Sequence, residues 1–286
     1  MNSLNSAFTS IFDVVLTPFE WLGIHASLIL VSGIFGVFAL WLFKYISWQK
    51  GIGATKDKIK GHMIAIRIYQ DDLAVVGASV LKVIGRNFQY LALNFGPFIP
   101  LAVPFVFVAA QLVTRYGFDP VPVRDANAVT LSGSVQRTQV KLWFDAGDAR
   151  FADLALEVPD GIQVCSPLIP SVGAGVAFVD VIATAPGDHE LAFSLPDGTR
   201  ATKTISAGGE PRRSMQPERV RSAFAAMLWP AEDQLAADSP FERILVSYPE
   251  RDLGWLPGGP LGVLITFVLA SMAFGFAALK PLGVRI

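Results

Sequence analysis

Three stretches of this chain carry no charged side chain: residues 26–43, 88–114 and 261–279. At about 1.5 Å of rise per residue, each is long enough as a helix to cross a hydrocarbon layer of roughly 30 Å. A helix that is apolar all round must bury itself, either inside a large protein or in lipid. The rest of the chain offers little to bury three such helices. Residues 115–257 hold 13 of the 23 basic and 19 of the 24 acidic residues, so that region reads as a separate water-soluble domain. The whole chain is 52% hydrophobic and 16% charged, with a mean hydropathy of +0.47, against about 25% charged in soluble domains. These features predict a membrane α-helical protein with three transmembrane helices. The net charge of −1 gives no basic footprint for nucleic acid.

Short loops rich in lysine and arginine stay on the cytoplasmic side of a membrane. Residues 44–87 carry Lys44, Lys50, Lys56, Lys58, Lys60, Arg67, Lys82 and Arg86, whereas the N-terminal stretch has only Asp13 and Glu20, and the C-terminal tail has Lys280 and Arg285. All three segments predict the N-terminus outside and the C-terminus cytoplasmic, in a cell inner (plasma) membrane. Trp21, Trp41, Tyr45, Trp48, Tyr90, Tyr116 and Trp255 fall where an interfacial aromatic belt would put them. Residues 1–24 lack lysine and arginine, and no small-residue cleavage pattern follows, so 26–43 reads as a retained helix and not a signal peptide.

The expected order is an outer amphipathic segment (1–25), a first transmembrane helix (26–47), a cytoplasmic amphipathic helical segment (48–87) and a second transmembrane helix (88–114). An extracytoplasmic β-sandwich (115–208), a linker with a short helix near 218–228 (209–258), a third transmembrane helix (259–280) and a cytoplasmic tail (281–286) complete it. In the first segment Phe8, Ile11, Phe12, Val15, Leu16 and Phe19 recur at helical spacing, which suits a helix lying on the outer leaflet or one packed on the outer domain. Ser32 and Gly36 in the first span, and Ser271 and Gly275 in the third, are pairs of small residues four apart; such pairs let helix backbones approach closely in lipid. In 48–87, Gly51 and Gly53 read as a loop and Thr55 as an N-cap, ahead of a heptad stripe through Ile59, Ile66, Leu73 and Val80. That segment is expected to be one helix, or a hairpin broken near Gly77. In the second span Asn87, Asn94, Pro97, Pro104 and Gln111 share a face, and polar groups in a span turn to the bundle interior or to a wet cavity.

The outer domain alternates with the two-residue period of strands. Val140, Leu142 and Phe144 face one way, and Leu191, Phe193 and Leu195 do the same; Pro186-Gly187-Asp188 and Pro196-Asp197-Gly198 read as hairpin turns. The pattern predicts an all-β immunoglobulin-like sandwich. Catalytic patterns are missing: His25, His62 and His189 are scattered, Cys165 stands alone, and no phosphate loop or nucleophile elbow occurs. Asp145, Asp148 and Asp153 read as a solvated loop in preference to a calcium site. No enzyme activity, cofactor or metal is expected.

The order of parts up to residue 117 resembles the YidC/Oxa insertase superfamily, in particular its three-span archaeal and ER members. The likeness rests on an outer aromatic amphipathic helix (Phe12, Phe19, Trp21), a basic cytoplasmic helical segment (Lys56 to Arg86), and a second span opening Asn94-Phe95-Gly96-Pro97-Phe98-Ile99-Pro100-Leu101. This chain departs from the family in its cytoplasmic segment, which reads as short for a full helical hairpin, and in its outer β-domain between spans two and three. The resemblance implies a hydrophilic groove that eases apolar segments into the bilayer, an insertase or chaperone role. Ser32, Asn87, Asn94 and Gln111 would line the groove, and Lys56, Lys58, Lys60 and Arg67 would meet nascent chains or a ribosome. The other reading is a scaffold subunit of a cell-envelope complex, anchored in membrane lipids, whose periplasmic β-domain binds a protein partner.

Overall fold

Helices form along the apolar runs. In the computed structural model they are α1 (Asn2–Glu20), α2 (Ile24–Ile46), α3 (Gln49–Ile68), α4 (Leu73–Phe95), α5 (Phe98–Tyr116), α6 (Ala223–Leu228) and α7 (Gly259–Leu282). The structure describes residues 2–124, 137–209 and 214–284, without the side chains of 2–5, 8 and 20. The side chains of Phe8 and Glu20, together with Arg285 and residues 210–213 near the start of the expected linker, therefore lie outside what is described. Among the described residues three helical stretches are long and apolar enough to cross a membrane: Ile24–Ile46, Leu73–Tyr116 and Gly259–Leu282. The chain divides into two compact units, Met1–Leu28 with Phe107–Thr266, and Ile29–Val106 with Phe267–Ile286.

The second of these units is helical. Its tightest packing lies where α2 meets α7: a Cβ at Gly36 would collide with the Ser271 carbonyl, and one at Gly275 would lie 3.4 Å from the Gly36 carbonyl oxygen. Small residues set this approach, as their spacing suggests. Phe35, Phe105 and Phe267 form an aromatic cluster beside it, with ring centroids 4.8 to 6.1 Å apart.

The segment before α5 differs from the sequence expectation in three ways. Thr55 is not an N-cap but a buried residue inside α3, which starts at Gln49 and runs through both glycines. Gly51 permits that start, because a Cβ there would strike the Trp48 indole. The second difference is the break, which falls at Tyr69–Asp72 and not at Gly77. The Asp72 carboxylate accepts from the Ala74 and Val75 amides at 3.0 and 3.1 Å, satisfying two orphan donors of α4. This cap interrupts the heptad stripe, and Leu73 is exposed. Last, α3 and α4 make a full antiparallel hairpin of 20 and 23 residues, and α4 continues past residue 88 to Phe95. Pro97 has no N–H to donate, so the helix is renewed only at Phe98, giving one 44-residue apolar stretch in two pieces.

The other unit holds α1, the end of α5 and the β-region. Its strands are β1 (Thr138–Phe144), β2 (Ala155–Glu157), β3 (Ile162–Val164), β4 (Ile169–Ser171), β5 (Val176–Ala183), β6 (Gly187–Ser194), β7 (Arg200–Ala207), β8 (Glu218–Val220) and β9 (Phe241–Val246). They form two sheets, one ordered β3-β5-β1-β9-β8 with β4 also on β5, the other β2-β6-β7. All pairings between these strands are antiparallel. Alternation places Val140, Leu142 and Phe144, and Leu191, Phe193 and Leu195, in the core. Phe151 stacks on Phe144 at 3.8 Å and meets Phe241 edge-on at 5.2 Å. Pro196-Asp197-Gly198 closes the β6–β7 hairpin, with Gly198 at φ +84°. Pro186-Gly187-Asp188 is not a hairpin: it carries the chain from β5 in one sheet to β6 in the other.

The expected linker 209–258 contributes β8, β9 and α6 to this unit. Strand β9 is central, pairing with β1 on one side and β8 on the other. Its buried residues are Phe241, Ile244 and Val246, out of strict alternation because the register with β1 shifts between Trp143 and Phe144. Asp148 caps a 3-10 turn (Ala149–Asp153) and pairs with Arg150 at 2.7 Å, and no cluster of metal-ligating side chains occurs among the described residues. Cys165 is half-buried, and burial pushes its thiol pKa up, so it is poor in thiolate.

Arg251 joins the two chain segments that run between helices and sheets. Its guanidinium is buried and donates to Asp119 Oδ1 (2.6 Å), the Arg115 carbonyl (3.1 Å) and the Phe118 carbonyl (2.8 Å). Its own amide donates to the Gly117 carbonyl at 3.0 Å, and the Asp119 amide to the Pro249 carbonyl at 3.0 Å. Replacing Arg251 by methionine strands two buried carbonyls, of Arg115 and Phe118, each costing about 1–3 kcal/mol. Arg251→Met is expected to lower the thermal unfolding midpoint in detergent by several degrees, read by near-UV circular dichroism, with helix content unchanged at room temperature.

Candidate functional site: an apolar groove with one amide

In the helical unit a groove of about 420 Å³ is lined from four helices. Helix α2 contributes Gly36, Ala39, Leu40 and Phe43, and α7 contributes Met272, Gly275, Phe276 and Leu279. Both sets follow the i, i+3, i+4, i+7 spacing of a single helix face. The α4 contribution, Tyr90, Leu91, Asn94 and Phe95, continues onto α5 at Phe98 and Leu101. Leu91, Phe95, Phe98, Met272 and Phe276 are each about half exposed, so the walls stand open.

Asn94 is the polar exception. The residue is buried, at 8% exposure. Its Nδ2 donates to the Tyr90 carbonyl at 2.8 Å, one turn back along α4. Its Oδ1 has no hydrogen-bond partner among the described residues. Such an orphaned acceptor costs about 1–3 kcal/mol, so it is a cost this unit carries in the free state.

The structure brings only Asn94 of the four expected lining residues to the groove. Ser32 is fully buried on α2 and does not line it. Asn87 is exposed, and its Nδ2 donates to the Val83 carbonyl at 2.9 Å. Gln111 belongs to the unit that contains α1: its Nε2 donates to Thr9 Oγ1 at 3.1 Å and its Oε1 accepts from Arg115 Nη2 at 3.2 Å. Arg115 is itself buried and pairs with Asp13 at 2.7 Å. The shared face in the sequence is therefore split by the Gly96-Pro97 break, and the groove is apolar and not hydrophilic. Of the basic residues expected at a cytoplasmic contact, Lys56 and Lys60 line a second cavity of about 460 Å³ with Asp57, Ile52, Gly53, Leu279 and Val284. Lys58 and Arg67 stand in solvent.

The groove residues of α2 and α7 went unrecognised in the sequence because helices apolar on every side carry no polar face to mark the functional one. The sole available signal was the pairing of small residues, Gly36 and Gly275, with large ones a turn away. No protein-family model matches the chain, and neither does any curated protein or solved structure.

Asn94→Leu removes the orphaned acceptor at similar volume. The fold is expected to be retained or stabilised by about 1 kcal/mol, measured as an equal or higher unfolding midpoint in detergent. A lower midpoint would mean that the Asn94 amide is satisfied in the free protein.

Proposed function

We propose that this protein is a three-span membrane protein of YidC/Oxa-like architecture that shelters an apolar helix of a client during its insertion or assembly. One observation carries the reading: an open groove walled by half-exposed phenylalanines and leucines, with a single unpartnered amide oxygen. In water such walls would favour collapse or aggregation. In lipid they cost nothing, and a passing helix can exchange lipid contacts for protein contacts. The orphaned Asn94 oxygen has almost no accessible surface, so it would gain a partner from a polar client side chain once the Asn94 side chain turns toward the groove, where lipid offers none.

Membrane placement is supported by the side chains the helices leave uncovered. Ile34, Phe38, Trp41, Leu261, Leu269, Ile99 and Val103 are each between 43% and 78% exposed. Helix α1 is two-sided: Ile11, Val14 and Val15 are exposed, as is Trp21 just beyond its end, while Asp13 pairs with Arg115. That suits a helix lying in the outer interface with its polar side tied to the protein. The basic hairpin α3–α4 would face the cytoplasm, and the two antiparallel sheets would form an immunoglobulin-like sandwich outside. Three spans, an in-plane helix and a basic hairpin are the parts the family resemblance requires.

A photoreactive phenylalanine analogue at Leu91, pulsed with labelled amino acids in living cells, tests this. The reading expects crosslinks to many short-lived, newly made membrane proteins, and Asn94→Leu should reduce them several-fold. A single long-lived crosslinked protein would instead make the chain a scaffold subunit of an envelope complex. Crosslinks to lipid alone would remove the client-binding role.

A further inference from the structure

The apolar groove adjoins the cavity beside the start of α3: Leu279 of α7 lines both, and all the residues concerned belong to the helical unit. On α2 the groove face runs from Gly36 to Phe43, and on α7 from Met272 to Leu279. Each face is followed at once by a lysine, Lys44 or Lys280. At about 1.5 Å per residue, each wall is about 10 Å long. That is about a third of a hydrocarbon layer of roughly 30 Å, so the groove fits within one leaflet.

The cavity is apolar on one side and charged on the other. Ile52, Leu279 and Val284 form the apolar side, and the exposed Lys56, Asp57 and Lys60 form the charged one. Two lysines against one carboxylate leave an excess of one positive charge. Lys56 and Lys60 are four apart on α3, so their Cβ atoms lie about 5–6 Å from each other, a spacing at which like charges destabilise a helix. An anion between them reverses that sign. Capping α7 does not account for the two lysines, because its last carbonyls are satisfied elsewhere. The Leu279 carbonyl accepts from the Val284 amide at 3.1 Å, that of Lys280 from the Gly283 amide at 3.1 Å, and that of Leu282 from Lys44 Nζ at 2.8 Å.

An apolar groove within one leaflet, next to a half-apolar cationic cavity, has room for the two parts of a membrane lipid in their order. A phosphodiester headgroup with a neutral alcohol brings one negative charge and balances the cavity. A zwitterionic headgroup brings a cation as well and leaves the excess in place. We propose that one anionic phospholipid occupies both spaces, its phosphate between Lys56 and Lys60 and an acyl chain along the groove between α2 and α7. The inference takes its leaflet, the cytoplasmic one, from the three-span topology proposed above, and does not depend on client binding.

The test is native mass spectrometry of the full-length chain in non-ionic detergent, titrated with phosphatidylglycerol or with phosphatidylcholine of the same chains. The inference expects a single retained phosphatidylglycerol and far weaker retention of phosphatidylcholine. Lys56→Gln and Lys60→Gln should each weaken retention about tenfold, the scale of one charge-assisted hydrogen bond. Lys58→Gln, on the same helix but outside the cavity, should leave it unchanged. Ala39→Trp, which fills the groove, should weaken it as well. Glycerophosphoglycerol, the same headgroup without chains, should fail to displace the lipid even in large excess. Equal retention of the two lipids overturns the proposal, as does equal weakening by Lys58→Gln, which would mean diffuse charge attraction. Displacement by glycerophosphoglycerol also overturns it, assigning the cavity to a soluble phosphate, and so does unchanged retention by Ala39→Trp. No client is present in this measurement, so its failure leaves the client role standing, and loss of client crosslinks at Leu91 leaves the lipid site standing.

Discussion

Uncovered apolar surface is the constraint that governs this molecule. An α-helix satisfies its own backbone, so a long apolar helix can stand with little protein around it, but only where water does not reach its side chains. The stretches Ile24–Ile46, Leu73–Tyr116 and Gly259–Leu282 meet the length and composition such a helix needs, and much of their surface stays open. Packing among helices in such a setting gains little from the hydrophobic effect and depends on close approach. The absence of a side chain at Gly36, where α2 meets the Ser271 backbone, supplies that approach. The groove around Asn94 opens beside this crossing, with Gly36 and Gly275 themselves in its lining.

The sheet unit is held by a different chemistry. Its core is aromatic and aliphatic, with Phe144, Phe151 and Phe241 in mutual contact, but the exposed edge of β7 is closed by side chains. The Thr204 amide donates to Glu232 (3.2 Å) and the Ser206 amide to the Tyr248 hydroxyl (2.9 Å), while Arg219 donates to the Thr202 carbonyl. An open strand edge is a template for unwanted pairing, and three polar residues from later in the chain occupy this one. Lys203 is drawn into the arrangement: it is fully buried, its ammonium donates to the Gln216 carbonyl and to Glu232, and burial depresses its pKa while Glu232 opposes the shift.

Much of this was legible in the sequence, and the misses have physical causes. Charge-free runs reveal long helices because nothing else in a protein requires them. Alternation reveals β1 and β6 because each is half buried. Strand β9 was hidden by the irregular Pro- and Asp-rich stretch around it, although Phe241, Ile244 and Val246 are as buried as any core residue. The hairpin turn was masked by a heptad stripe that runs unbroken through it in sequence; the Asp72 cap was the countersignal. Gln111 carried a polar-face signal that proved real but local, since it serves Arg115 and Thr9. Asp13 in an apolar helix and Arg115 at the end of an apolar run were each visible alone. Only the fold shows that they are a pair.

The proposed topology has the apolar helices separate two aqueous compartments, with the sheets outside and the α3–α4 hairpin in the cytoplasm. In a Cys165→Ser background, single cysteines at the exposed positions Glu157 and Lys58, treated with a membrane-impermeant maleimide on sealed cells, read this directly. The account predicts labelling of Glu157→Cys at once, and of Lys58→Cys only after the membrane is opened. Equal labelling of both before opening, or the reverse order, would contradict it.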